Sequence, residues 1–362
     1  MSARVERSVL RLSIPLKEPF VTSGGVVAAR ELLLLRLEAR DGTVGYGEAA
    51  PFEPYDGVPL ERAVAALTGG GGRRPPQARA AEEIARLDLH ARQEGRPLAE
   101  PHRDALPVNM TLAAGPPEEV AERARQGLRD GYACFKLKVG LPDDAERVSA
   151  VRAAVGPWPA LRVDANGAWA VDEAVRAIRG FEEHDLEFVE QPCRTLRELA
   201  EVRQRVSTAI VADESVSSLR ELRRAVELEA CDVVNVKVAG TGGFRPAREL
   251  LREARSAGLD AFLSSTLDGP WGIAAALQLA AAEEITLACG LATLELFEAP
   301  MGRALPPPRA GTLKVPIGPG LGVSIEERDL AAGANVATPL DVFDAGTVLV
   351  RVELPHYNIT ET

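Results

Sequence analysis

Five residues in the middle of the chain combine types and spacing suited to proton transfer beside a cation. Lys138, Asp164, Glu190, Asp213 and Lys237 follow one another at intervals of 26, 26, 23 and 24 residues. Each lies at or near the end of an apolar run: "CFKLKV" (134–139), "ALRVDA" (160–165), "LEFVEQ" (186–191), "AIVADE" (209–214) and "DVVNVKV" (232–238). Alternation along a strand puts Lys136 on the same face as Lys138, so "FKLKVG" carries two ammonium groups side by side. Of 42 basic residues only five are lysines, at positions 17, 136, 138, 237 and 314. Arginine keeps its proton in a protein, whereas a desolvated lysine can become a neutral base. Three carboxylates converging in an apolar mouth repel one another and rise in pKa unless a cation joins them. All-oxygen ligation suits a hard divalent ion, Mg²⁺ first and Mn²⁺ as the alternative. Such an ion leaves positions open for a substrate carboxylate. One lysine would then act as base towards a carbon acid, and the other would stabilise the developing negative charge.

Elements at a steady beat must hold these groups at one height. From about residue 107, eight strand-like runs alternate with helix-like segments; to the five above are added "PVNMTL" (107–112), "AFLSST" (261–266) and "TLACGL" (286–291). "PPEEVAERARQGLRDG", "DDAERVSAVRAAVG" and "SLRELRRAVELEA" carry apolar residues at helical spacing behind Pro, Asp or Ser starts. Single helices between strands imply parallel pairing with right-handed crossovers, and this count predicts a closed barrel with its chemistry at the strand C-termini. The first hundred residues instead predict an antiparallel meander ("RSVLRLSIPL", "RELLLLRLEAR", "TVGYGEA") followed by helices near 58–68 and 77–92. The expected organisation is a capping domain over 1–104, a barrel over 105–310 and a segment over 311–362. Within that segment "GTVLVRVEL" (346–354) returns to the cap.

Composition excludes several function classes. Net charge is −11 and no basic cluster exceeds a pair, which argues against a nucleic-acid partner. No apolar run approaches the roughly 18 residues of a membrane span, and the N-terminus lacks a secretory apolar core, so a cytoplasmic protein is expected. Cys134, Cys193, Cys231 and Cys289 are far apart and read as small buried hydrophobes. The expected partner is a small-molecule carboxylate; self-association stays open.

"KLK", "VDANGAW", "VEQP", "VADES" and "VKVAGTGG", in this order and spacing, resemble the enolase superfamily. The lysines on both sides of the barrel are similar to those of its muconate-lactonizing-enzyme subgroup. The resemblance implies an α/β fold, a modified (β/α)₇β TIM barrel with an N-terminal α+β capping domain. It implies Asp164, Glu190 and Asp213 as Mg²⁺ ligands, Lys138 and Lys237 as the acid–base pair and Lys136 as an auxiliary cation. Asn166 and Glu214 would support them, the latter hydrogen-bonded near Lys237. The four histidines (90, 102, 184, 356) lie away from the strand ends, unlike the branch that uses a histidine base. "LPVNMTLAAG", "FVEQPCRTLRELAEVRQRV" and "SSTLDGPWG" look most like o-succinylbenzoate synthases of the actinobacterial kind. That likeness implies dehydration of 2-succinyl-6-hydroxy-2,4-cyclohexadiene-1-carboxylate in menaquinone synthesis. N-acylamino-acid racemisation is the nearest alternative. "GLATLELF" lacks the Asp-x-Asp of dipeptide epimerases, while Glu295 in "LELFEAP" matches a muconate cycloisomerase acid. Substrate contacts are expected from Phe20, Thr22, Ser23 and Tyr55 in cap loops and from Ser265 after the seventh strand. The alternative of another class is a metal-stabilised scaffold without turnover.

Overall fold

Four consecutive leucines, Leu32 to Leu35, are each fully buried, which requires a strand covered on both faces. Leu32 and Leu34 join the barrel core with Leu12 and Ile14, whereas Leu33 and Leu35 join a separate cluster with Ala78, Ala81 and Ala85. In this computed structural model, which describes residues 5–22, 25–283, 285–298, 301–323, 338–343 and 347–353, that strand is β2. β1 (Glu6–Thr22), β2 (Gly25–Glu38) and β3 (Val44–Ala49) form the expected meander. α1 (Glu53–Asp56), α2 (Leu60–Leu67) and α3 (Pro76–Gln93) follow. α3 lies directly on β3: a side-chain carbon at Gly45 would stand 2.5 Å from both Ala85 O and Leu89 N. Glycine is required there by contact distance.

The barrel strands are short. β4 (Ala105–Pro107) is followed by β5 (Met110–Leu112), β6 (Cys134–Lys138), β7 (Ala160–Asp164) and β8 (Phe188–Glu190). β9 (Ile210–Ala212), β10 (Val233–Val236) and β11 (Asp260–Leu263) complete a seven-stranded parallel sheet in the order β11-β10-β9-β8-β7-β6-β5. The crossovers are α4 (Pro117–Arg129), α5 (Asp144–Val155), α6 (Val171–Phe181), α7 (Leu196–Arg203), α8 (Leu219–Glu227) and α10 (Phe244–Ser256), with the single turn α9 (Val238–Thr241) before the last. α11 (Pro270–Ala282) packs after β11. Local signals set these starts: Thr195 and Glu198 form a capping box on α7, and Ser218 caps α8. The expected eighth strand at 286–291 is reduced to isolated bridges, Val108↔Cys289 and Ser264↔Gly290, which close the gap between β5 and β11. Its run is too short and small-sided to sustain a ladder before the 3₁₀ turn at Ala292–Leu296.

The chain returns through β12 (Thr312–Lys314), antiparallel to β4, and through β13 (Thr338–Phe343) and β14 (Thr347–Glu353). β14 pairs parallel to β1, matching Leu10 with Val350, so "TVLVRVE" completes the N-terminal sheet. All four cysteines are free and buried. Among the described residues no helix is long and apolar enough to cross a membrane.

Cap and barrel meet at a buried acid. Glu48 on β3 accepts the main-chain N–H groups of Gly269 at 2.7 Å and Gly272 at 3.2 Å, at the N-terminus of α11. Burial, and then the charge of Asp268, push its pKa up to about 8, against these hydrogen bonds and Arg30. The folded protein therefore keeps a proton that the unfolded chain, with an ordinary carboxylate pKa near 4.3, has already released. Stability from this group is full below the unfolded pKa and falls as pH rises towards 8, by up to about 1.4 kcal/mol per pH unit. Urea unfolding at pH 5, 6, 7 and 8 should show this downward slope reduced in Glu48→Gln relative to the parent. Equal slopes would mean that Glu48 is ionised throughout.

Candidate active site

Parallel register places the charged groups at one height. β6 and β7 pair Lys138 with Asp164, and β7 and β8 pair Asp164 with Glu190. Asp213 follows directly on β9, and Lys237 directly on β10. They meet at the mouth of a cavity of about 820 Å³ whose wall includes Lys136, Lys138, Asp164, Asn166, Asp213, Glu214 and Lys237. Glu190 lies beneath that wall, fully buried.

The lysines and acids interlock. Lys136 Nζ lies 2.9 Å from Asp164 Oδ2 and 2.8 Å from Glu190. Lys138 donates to Asp164 Oδ2 and to Asn166 Oδ1, each at 2.7 Å. Lys237 donates to Asp213 Oδ1. Burial alone would lower the Lys136 pKa, but Asp164, Glu190 and Asp213 outweigh it and hold the ammonium form well above the usual lysine range. Burial would likewise raise Asp164, yet the charges of Lys136 and Lys138 pull it below the usual carboxylate range. At Glu190 burial prevails, reinforced by Asp164 and Asp213, and the pKa stands at about 7 despite Lys136.

The donor set fits a hard divalent cation. It consists of three oxygen-bearing acids on neighbouring strands, and the buried Glu190 Oε2, although in ion-pair range of Lys136, has no aligned hydrogen-bond donor. In this structure the ammonium groups of Lys136 and Lys237 neutralise the acids. Among the described residues no three acids close around one point.

The supporting residues differ in part from expectation. Asn166 lies beside Lys138 as the motif implies. Glu214, expected to hydrogen-bond near Lys237, instead accepts from Asn166 Nδ2 at 2.9 Å, making a Lys138–Asn166–Glu214 chain; Lys237 is taken by Asp213. Burial raises the Glu214 pKa, with Asp164 adding to it. Phe20, Tyr55 and Ser265 line the cavity. Tyr55 is committed to protein partners, its hydroxyl donating to Asp213 Oδ1 at 2.9 Å and its ring lying 4.6 Å from Lys237 Nζ. Ser265 hydrogen-bonds Thr293 at 2.8 Å. Glu295 is outside the cavity wall, exposed, and accepts from Tyr132 Oη at 2.8 Å. The side chain of Thr22 and all of Ser23 lie outside the described residues.

Two residues escaped the sequence reading. Asn235 donates to Glu190 Oε1 at 2.8 Å, and Gln191 accepts the Asp213 N–H at 2.8 Å while donating to Cys193 O. The signal for Asn235 was present, since it shares a strand face with Lys237 inside an apolar run. Gln191 has φ of +40°, which no sequence pattern announces.

Comparison with known proteins agrees with this architecture. Residues 119–329 match the family model described as enolase C-terminal domain-like. The chain is 41% identical to the o-succinylbenzoate synthase of Thermobifida fusca over 75% of this chain and 77% of that protein. It is 32% identical to the L-Ala-D/L-Glu epimerase of Clostridium acetobutylicum over 76% of this chain and 85% of that protein. The dipeptide epimerase of Enterococcus faecalis, solved with Mg and the dipeptide L-Leu-L-Tyr, superposes with a TM-score of 0.82 at 28% identity, covering 90% of this chain and 100% of that one. With a seven-stranded parallel barrel sheet, a β-rich cap and this match over its barrel, the chain belongs to the enolase superfamily.

Proposed function

We propose that the chain abstracts a proton α to a carboxylate and then expels water, converting 2-succinyl-6-hydroxy-2,4-cyclohexadiene-1-carboxylate to o-succinylbenzoate. The observation that carries this reading is the pair of cavity-lining lysines, Lys138 on β6 and Lys237 just after β10, four strands apart around the curled sheet. Groups so placed address opposite faces of one bound carbon acid. The 41% identity to an o-succinylbenzoate synthase supports this choice of reaction.

Asp164, Glu190 and Asp213 would hold a Mg²⁺ ion, with Mn²⁺ as substitute, whose positive charge binds the substrate carboxylate and stabilises the charge that develops on it. Lys138 takes the ring proton as base. Asn166, tied to Glu214, aims the Lys138 amine, and Lys136 sets its electrostatic surroundings. Lys237, against Asp213 and the Tyr55 ring, faces the anion from the other side as a cation. The C–H pair becomes a ring double bond as the C–O bond breaks, and the departing hydroxide leaves as water with the proton removed. The cap wall of Phe20, Val27, Phe52 and Pro54 is apolar and keeps bulk water from the anion.

A second reading, racemisation of an N-acylamino acid, is favoured by the same two-sided lysine placement, which permits proton return from Lys237. Parallel assays distinguish them: loss of diene absorbance should be fast with Mg²⁺, and racemisation of N-succinylamino acids slow. Efficient racemisation without dehydration overturns the first reading.

Lys138→Ala and Lys237→Ala should each lower kcat by about 10³-fold while leaving the melting temperature and Mg²⁺ binding in place. Retained turnover in both would leave a metal-stabilised scaffold as the better description of these lysines. Asp213→Asn should instead weaken Mg²⁺ itself, by about 100-fold in a titration, since a ligand costs no less than its supporting partners. Unchanged affinity would remove Asp213 from the ligand set.

A further inference from the structure

Arg30 is 3% exposed, yet among the described residues its hydrogen bonds go to main-chain carbonyls. Nε donates to Leu267 O at 3.3 Å, Nη1 to Pro51 O at 3.0 Å and to Glu31 O at 3.4 Å, and Nη2 to Ala50 O at 3.2 Å. The guanidinium carbon lies 4.6 Å from the centre of the Phe52 ring. The acids Asp268 and Glu48 offset its charge from nearby.

A cation bonded to carbonyls fixes the path of the backbone. The carbonyls here belong to two segments distant in sequence. One is 50–51, which leads into the turn bearing Phe52, Pro54 and Tyr55; the other is Leu267, after β11. That turn is itself rigid: Asp56 Oδ2 accepts Phe52 N–H at 2.9 Å and Gln77 Nε2 at 2.6 Å, and Phe52 O accepts from Tyr55 and Asp56 at 2.8 Å. Leu267 sits at φ +58°, an unfavourable backbone state for a branched side chain that the surrounding contacts must maintain. Asp268 steadies the same loop by accepting from Thr266 N and Oγ1 at 3.2 and 3.0 Å. Phe52, Pro54, Tyr55, Thr266 and Leu267 all line the cavity.

We propose that Arg30 is a positioning residue: its planar fork sets the Phe52–Tyr55 turn and the 265–267 loop relative to one another, so that Tyr55 reaches Asp213 and Lys237. The proposal rests on the reading of those two residues as part of the reactive site. Lysine cannot replace Arg30, because an ammonium on a thinner stem does not span carbonyls lying on both segments. Displacing a reacting group by about 1 Å can cost on the order of 100-fold in rate.

The test combines kinetics with hydrogen exchange on the full-length enzyme. Arg30→Lys should lower kcat by about 10- to 100-fold with a smaller change in KM. In its background Tyr55→Phe should lose most of its own effect, giving a non-additive cycle. Additive effects would show that Arg30 does not act through Tyr55 and would overturn the proposal. In Arg30→Lys without substrate, amides of 52–57 and 264–268 should exchange faster together while those of 134–138 keep their protection. Faster exchange in only one segment, or everywhere including 134–138, would also overturn it. This arm needs no turnover, so it decides the positioning role even if neither assayed reaction occurs. Should Arg30→Lys fail to fold, Phe52→Leu tests the link from the ring side, with the same paired exchange expected and its absence counting against the proposal.

Discussion

Charge compensation in a low-dielectric barrel mouth is the interaction on which the rest of this structure depends. Asp164, Glu190, Asp213 and Glu214 are brought together by strand register, and each would strain the fold if left alone. Lys136, Lys138 and Lys237 are inserted among them, every lysine touching an acid. The opposing shifts at Asp164 and Glu190 express one network: the acid that meets two ammonium groups stays ionised, while its buried neighbour takes up the repulsion. The preference for lysine here, in a chain that elsewhere uses arginine, follows from the need for compact donors that can also give up a proton.

This network constrains the scaffold. Short strands suffice for the barrel because only their last residues carry the site, and β8 and β9 are just three residues long. The loops beyond them are held by side chains returning to the backbone, as Gln191 does at Asp213 and Cys193. Cap and barrel share the work: β3 contributes Glu48 to the start of α11, and α1 carries Tyr55 down to Asp213. Two buried charges on the cap, Arg30 and Glu48, therefore point at main-chain groups of the barrel. Main-chain partners have no rotamers to escape into.

The barrel and the five spaced residues were legible because periodicity encodes them directly. Alternation put Lys136 with Lys138, and one βα unit per acid implied a common height. What was hidden depends on partners remote in sequence. Tyr55 reads as an ordinary loop tyrosine until the cap is folded over Asp213, and Arg30 reads as one of many arginines until its carbonyls from 50, 51 and 267 are assembled. Glu214 was displaced from Lys237 to Asn166 because Asp213 claims that ammonium first, a competition that spacing cannot resolve. The segment 286–291 has the hydrophobicity of a strand but needs only two bridges to close the sheet. Glu295 shows the converse: a suggestive acid in the right neighbourhood, turned outward and bonded to Tyr132.

The charge balance also bears on what the cavity can accept. Four acids stand against three lysines around its inner wall, a slightly negative lining that would resist a carboxylate ligand. A divalent cation held by the same acids reverses that sign, and a bound carboxylate then restores neutrality. Selection for an anionic substrate would therefore come from the acids and their cation together. The apolar surface given by Phe20, Val27 and Phe52 from the cap contributes shape without adding charge. In such a division the barrel fixes the first chemical step, and differences between related reactions must arise from the cap segments and the loop after β11. Arg30 holds these two regions together.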